Sequence, residues 1–75
     1  MKDLLTLLAQ KLVDKPELVD VHEEERDGVI VLRLKVAPED MGKVIGKQGR
    51  IARSLRTLVK AAAINADKRV NVEII

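Results

Sequence analysis

Two glycines three positions apart, Gly46 and Gly49, interrupt one otherwise continuous helical pattern from Pro38 to Ala66, and nothing else in the chain constrains its fold as much. Glycine costs a helix interior about 1 kcal/mol relative to alanine. The pair therefore turns the chain, leaving a short helix from Pro38 to Val44 or Ile45 and a longer one from Arg50 to about Ala66. Proline in the first turn followed by Glu39 and Asp40 is a helix-start signature, since proline lacks only an N–H that would go unpaired there and acids suit the positive helix end. In the longer helix Ile51, Leu55, Leu58, Val59, Ala62 and Ala66, with small Ala52 and Ala63, form an apolar arc of roughly 140°. Arg50, Arg53, Arg56 and Lys60 lie opposite, and Ile64 projects among those bases.

The flanking segments carry their own periodicities. Leu5, Leu8, Ala9 and Leu12 recur at helical spacing within residues 3–14, and Pro16 limits that helix. Leu4, Leu7 and Val13 widen its apolar arc to about 240°, more than one contact face requires, which points to a partner surface. Val19 and Val21 alternate with Asp20 and His22 in a strand predicted from Leu18 to Arg26, whose Glu23, Glu24 and Glu25 form a solvated end. Asp27-Gly28 is a two-residue hairpin signal leading into a strand from Val29 to Val36, with Ile30, Leu32, Leu34 and Val36 on one face. A last strand alternates Val70, Val72 and Ile74 with Asn71 and Glu73. The order is αββααβ, an α+β chain, and 75 residues bury only about 60% of their unfolded surface, enough for a single domain over residues 1–75.

Composition excludes several functions. There is no cysteine and one histidine, His22, so neither a disulfide framework nor a thiolate or histidine-cluster metal site is available. There is no aromatic residue, so bases cannot be stacked on aromatic platforms. No apolar run approaches the roughly 20 residues of a membrane span, and Asp3 and Asp14 with Gln10 and Lys11 break the signal-peptide pattern, so a cytoplasmic protein with no membrane attachment is expected. The net charge of +2 conceals a segregation. Residues 1–40 hold ten acids and six bases, net −4, and residues 41–75 hold eight bases and two acids, net +6. From Met41 to Ala66 there is no acid, while Lys43, Lys47, Arg50, Arg53, Arg56 and Lys60 recur every three or four residues. A one-sided basic surface suits a polyanion.

The glycine pair and the bases coincide. Each glycine lets a ligand approach the backbone unobstructed, and the turn brings its N–H groups and the positive end of the following helix to one phosphate-sized spot. Val44-Ile45-Gly46-Lys47-Gln48-Gly49-Arg50, set in a strand–helix–GxxG–helix–strand unit preceded by a helix and a strand, resembles the type II KH domain across the whole chain, and more closely the small stand-alone bacterial KH proteins of the KhpA family. The resemblance implies a three-stranded sheet packed on one side by three helices, and a GxxG loop clamping the backbone of about four single-stranded nucleotides. Gly46, Lys47, Gln48 and Gly49 become the clamp and Ile45 the apolar residue entering it. Lys47 and Arg50 then neutralise phosphates, with Arg53 farther along the helix and Lys43 before the loop. Where many KH domains carry a bulky aliphatic six residues after the first glycine, Ala52 stands here and Ile51 is the bulky neighbour. KH recognition does not need aromatic stacking, so the composition fits. The resemblance also implies an RNA chaperone or post-transcriptional regulator, pairing with a copy of itself or a larger KH-containing protein, and a role in cell elongation and cell-wall homeostasis.

Other readings bring other expectations. Two helices joined by a glycine-containing turn, the second basic, also describe a DNA-binding helix-turn-helix, against which the flanking strands weigh. A KH-like interaction module would use the wide arc of residues 4–13, or self-associate around Ile64. Catalysis is not expected: Ser54 stands among arginines with no histidine near it in sequence, and Glu39 and Asp40 are explained as a helix start. No cofactor and no small-molecule substrate are expected.

Overall fold

In the computed structural model, which describes residues 1–75, the middle of the molecule is strand β2 (Val29–Lys35), flanked antiparallel by β1 (Asp20–Arg26) and parallel by β3 (Arg69–Ile74). Helices α1 (Lys2–Leu12), α2 (Met41–Ile45) and α3 (Arg50–Asn65) complete the order αββααβ, as expected of a type II KH domain. Asp27 and Gly28, at φ 51° and 80°, make the hairpin turn with both central residues at positive φ, which matches the twist of the strands it joins. The register sets Val21 against Leu34 and then Ile30, Leu32 and Leu34 beside Val70, Val72 and Ile74. Against this apolar face pack Leu5 and Ala9 of α1, Val44 of α2, and Leu55, Val59 and Ala63 of α3.

The opposite face of the sheet carries Val29 and Val31 but is otherwise polar and stitched by charge. Arg33, in the central strand, reaches Glu24 of β1 through Nη1 at 2.8 Å and Glu73 of β3 through Nε at 3.5 Å. The hydrogen bond from Arg33 holds the Glu24 carboxyl below its usual range against the opposing cost of its partial desolvation, and the same bond raises the Arg33 guanidinium. Glu24 therefore belongs to a cross-strand ladder rather than to a purely solvated strand end, whereas Glu23 and Glu25 are exposed.

Several boundaries differ from the sequence reading: β2 ends at Lys35 rather than Val36, and α2 begins at Met41 rather than Pro38, since Pro38–Asp40 is a separate 3₁₀ turn closed by the Asp40 and Met41 N–H groups on the carbonyls of Ala37 and Pro38. Helix α1 stops at Leu12 because Val13 is extended (φ −105°, ψ 159°), and the next two N–H groups bond to a carboxylate instead of to the preceding turn. Leu18 lies in a 3₁₀ turn, Pro16–Leu18, closed by the Leu18 and Val19 N–H groups on the carbonyls of Lys15 and Pro16, so β1 begins at Asp20. Ala66 caps α3 and is exposed. There Asp67 takes the left-handed position, φ 57°, while its N–H and that of Lys68 bond to the carbonyls of Ile64 and Ala63, the geometry that usually employs glycine.

Leu58 corrects the expected core. It is 52% exposed, because the buried stripe of α3 centres on Val59 with Ala52, Leu55 and Ala63, and Leu58 is turned about 100° away from Val59. It overhangs α1 instead, lining an apolar groove with Leu8, Leu12, Ile51 and Leu55. The wide arc of α1 divides likewise: Leu5 and Ala9 are fully buried, Leu4, Leu8 and Leu12 partly so, and Leu7 is 53% exposed.

Candidate nucleic-acid interface

The glycine loop is built from backbone conformations that its sequence permits and few others would. The Gly46 N–H closes α2 on the Gly42 carbonyl at 2.9 Å, and then φ 73°, ψ 178° swings the chain out of the helix. That region of backbone space is essentially reserved for glycine. A β-carbon on Gly46 would in addition lie 2.6 Å from Cγ1 of Ile51, whose side chain rests on the loop. Lys47–Gly49 forms a tight turn, closed by the Gly49 N–H on the Gly46 carbonyl and the Arg50 N–H on the Lys47 carbonyl, with Gln48 left-handed (φ 58°, ψ 26°) and Gly49 following at φ 73°, ψ 15°. Gly49 has open space where a β-carbon would go, so its requirement is conformational only. Ala52 is buried on the core side, so the bulky residue against the loop is indeed Ile51.

Helix α3 leaves this turn with sixteen residues and no acid in its first turn. Its uncompensated first N–H groups and positive dipole end therefore point to the loop. Lys47, Arg50, Arg53 and Lys60 are exposed, and none has a carboxylate within 4.0 Å. Ile45, 40% exposed, stands at the end of α2 beside Gly46. Ile64, 75% exposed, is on the basic flank of α3 but at its far end.

Lys43 is arranged differently from the other cations. Its ammonium is paired with the Asp14 carboxylate, whose hydrogen bond raises the Lys43 pKa above its ordinary value despite some desolvation, with the charges of Asp14 and Asp40 adding. Free cations thus begin at Lys47. Asp40, expected to be a helix-start acid, makes no cap on α2. Its carboxylate is 1% exposed and spans to the α1–β1 connection, where Oδ1 accepts the Asp14 N–H at 3.3 Å and Oδ2 the Lys15 N–H at 3.0 Å. Lys15 also pairs with Glu39 at 3.1 Å. These contacts tie the short helix that leads into the loop to the end of α1.

Arg56 is turned toward the sheet. Its Nε donates to the Val72 carbonyl at 3.3 Å, bringing the basic flank of α3 against β3. Only one side of β3 is paired, with β2. The Ile75 N–H bonds to the Leu34 carbonyl, and backbone groups of successive strand residues point to alternate sides, so Asn71 and Glu73 face β2 while Val70, Val72 and Ile74 direct theirs to the free edge. The Arg56 contact thus sets the basic flank of α3 beside the unpaired edge of β3. Sequence periodicity placed the bases on one flank of the helix and left open the strand that would face them. Asp14, Asp40 and the Arg56 contact leave no local signal, because the partners are 16 to 29 residues apart in the chain. No group of three or more His, Asp or Glu side chains comes together to hold a metal ion, and no helix is long and apolar enough to cross a membrane.

Known proteins are similar to this chain in sequence along its full length. A protein of Clostridium perfringens named RNA-binding protein KhpA is 63% identical over 75 residues, covering both chains completely. One of the same name from Caldanaerobacter subterraneus subsp. tengcongensis is 60% identical with the same coverage, and one from Listeria monocytogenes 48% identical over the whole of this chain and 99% of the relative. The family described as KhpA/KhpB, KH domain, matches residues 2–74, the GxxG loop and every helix and strand included, and the chain belongs to that family.

Proposed function

We propose that this chain is a non-catalytic RNA-binding protein, one KH domain over residues 1–75, that grips about four single-stranded nucleotides through its GxxG loop and acts as an RNA chaperone or post-transcriptional regulator. The observation that carries the reading is the convergence of Lys47, Arg50 and Arg53, all free of carboxylate partners, on the loop at the N-terminus of α3. The relatives' printed name supports RNA as the polyanion, and the family resemblance extends the role to cell elongation and cell-wall homeostasis. In the mechanism, Gly46 and Gly49 let a sugar-phosphate backbone lie close to the turn, and Lys47 and Arg50 neutralise its phosphates with Arg53 next in line. Ile45 offers an aliphatic surface to the adjoining sugar or base. Phosphate contacts give affinity and register without sequence information, so binding is salt-sensitive and broad. A helix-turn-helix reading is disfavoured, because α2 has only five residues and Arg56 holds the basic flank of α3 against β3 rather than presenting it to a major groove.

The loop is testable without disturbing the fold. Lys47→Asp with Gln48→Asp changes two exposed positions, and aspartate tolerates the left-handed backbone at 48. The expected result is an unchanged urea midpoint, a loss of single-stranded RNA affinity of at least about tenfold, and a shallower dependence of log affinity on log salt, by about 0.7 for the Lys47 phosphate. Unchanged RNA affinity in the folded variant refutes the clamp.

A single domain that grips few nucleotides gains from a second copy or a larger KH-containing partner. The surface that favours this is the α1–α3 groove, where exposed Leu58 overhangs Leu8 and Leu12. Leu58→Asp is expected to lower the sedimenting mass from dimer to monomer at micromolar concentration, and an unchanged mass rules the groove out as the contact between copies.

A further inference from the structure

At the far end of α3, on the same flank as the basic row, a cavity of about 290 Å³ is lined by Ala63, Ile64, Val29 and Val70 together with Lys60, Lys68, Arg69 and Asn71. Its walls are aliphatic and its rim is cationic. Lys60, Lys68 and Arg69 are exposed and have no carboxylate within 4.0 Å. Asp67 and Glu25 border the adjoining cavity around Gly28, and Asp67 also lines a smaller one beside Ile64, Lys68 and Arg69, but neither acid lines this one. Val70 stands where the free edge of β3 begins, so its main-chain N–H and C=O, directed away from β2, face the same space. Apolar walls with a few convergent donors and acceptors beneath a positive rim suit a flat heterocycle attached to an anion.

We infer that this cavity is a second nucleotide subsite, in which a base of single-stranded RNA rests on Ile64, its edge is read by the Val70 main chain, and its phosphates meet Lys60, Lys68 and Arg69. The inference rests on the RNA-binding reading above and extends it. Fourteen residues of α3 separate Arg50 from Ile64, about 21 Å at 1.5 Å per residue, so a strand clamped at the loop reaches the cavity by following Arg53, Arg56 and Lys60. The same placement accounts for Ile64, the most exposed large aliphatic in the chain at 75%. It is a shelf for a base at the far end of α3 rather than a contact between protein copies.

The experiment compares a short and a long RNA on one variant. Ile64→Ser with Lys68→Ser alters two exposed side chains, and oligouridines of about four and about eight nucleotides serve as probes, the shorter filling only the loop clamp. The expected result is that the octanucleotide loses about tenfold in affinity, the scale of one lost base contact, while the tetranucleotide changes by less than about twofold. The octanucleotide's salt slope falls by about 0.7 for the Lys68 phosphate. Equal losses on both probes, or none on either, overturn the subsite. A drop in sedimenting mass in Ile64→Ser overturns it as well, because Ile64 then lies between copies. Lys47→Asp with Gln48→Asp separates the two claims: if it leaves both probes bound normally the clamp fails, whereas loss of both probes there with an unaltered octanucleotide in the Ile64 variant leaves the clamp standing and removes the subsite alone.

Discussion

Gly46→Ala is expected to destabilise the domain by about 3 kcal/mol or more, combining about 1–3 kcal/mol for backbone strain with about 1–3 kcal/mol for an overpacked contact. Both causes are present at that residue: φ 73°, ψ 178°, and a β-carbon placed 2.6 Å and 2.9 Å from Cγ1 and Cβ of Ile51. Ile51 is branched at the atom that must move and is held half-buried against the core, so it cannot yield as the far end of a flexible chain would. Gly49→Ala is the matched comparison. It meets nothing within 4 Å and pays only for a left-handed backbone, φ 73°, ψ 15°, about 1–2 kcal/mol, and Gly49→Asn should recover much of that. Urea unfolding of the three variants checks the order: equal losses at 46 and 49 would show that Ile51 relaxes freely and that the two glycines are equivalent.

Asp40→Ala is expected to cost about 3 kcal/mol, since two main-chain donors lose a charged acceptor and hydrogen bonds to charged groups contribute about 1.5–3 kcal/mol each, not additively. Asp40→Asn should recover only part of this. Its single oxygen can replace one carboxylate oxygen, while its amide sets a donor against the other N–H, of Asp14 or Lys15. The loss should register at the loop as well, because α2 has five residues with only Val44 buried, and Asp40 ties its start to the end of α1. Amide exchange measured on the Asp40→Asn domain, at a urea concentration where it stays folded, should quicken through Met41–Gln48 before it does in β2. Uniform acceleration across the sheet would mean that Asp40 supports the whole fold and does not position the loop.

These two residues show where sequence and structure divide. The helical break at Gly46 and Gly49 is readable because glycine's cost in a helix is local, and the β-hairpin is readable because Asp27-Gly28 suits a turn with positive φ at both centres. The alternation of Ile30, Leu32 and Leu34 likewise belongs to the strand itself. The different roles of Gly46 and Gly49 were not readable, since only the position of the Ile51 side chain separates them. Asp40 looks like a helix-start acid from its neighbours alone, yet its partners are 25 and 26 residues earlier in the chain. Leu58 fits the apolar arc of α3 on a helical wheel, but α1 and the sheet together decide which part of that arc is covered.

The charge pattern divides in the same way. An acid-free stretch from Met41 to Ala66 with bases on one helical flank is a property of the sequence, and with the glycine loop it already pointed to a backbone-gripping site for a polyanion. Which of those bases are free to act was decided by folding: Asp14, from the acidic first half, neutralises Lys43, Arg56 is turned to the edge of β3, and Lys47, Arg50, Arg53 and Lys60 remain unpaired. Local order along a chain determines its turns, helices and strands, because those are interactions between near neighbours. Pairings between distant residues depend on how the elements pack, and here that packing decided which positive charges stay free of partners.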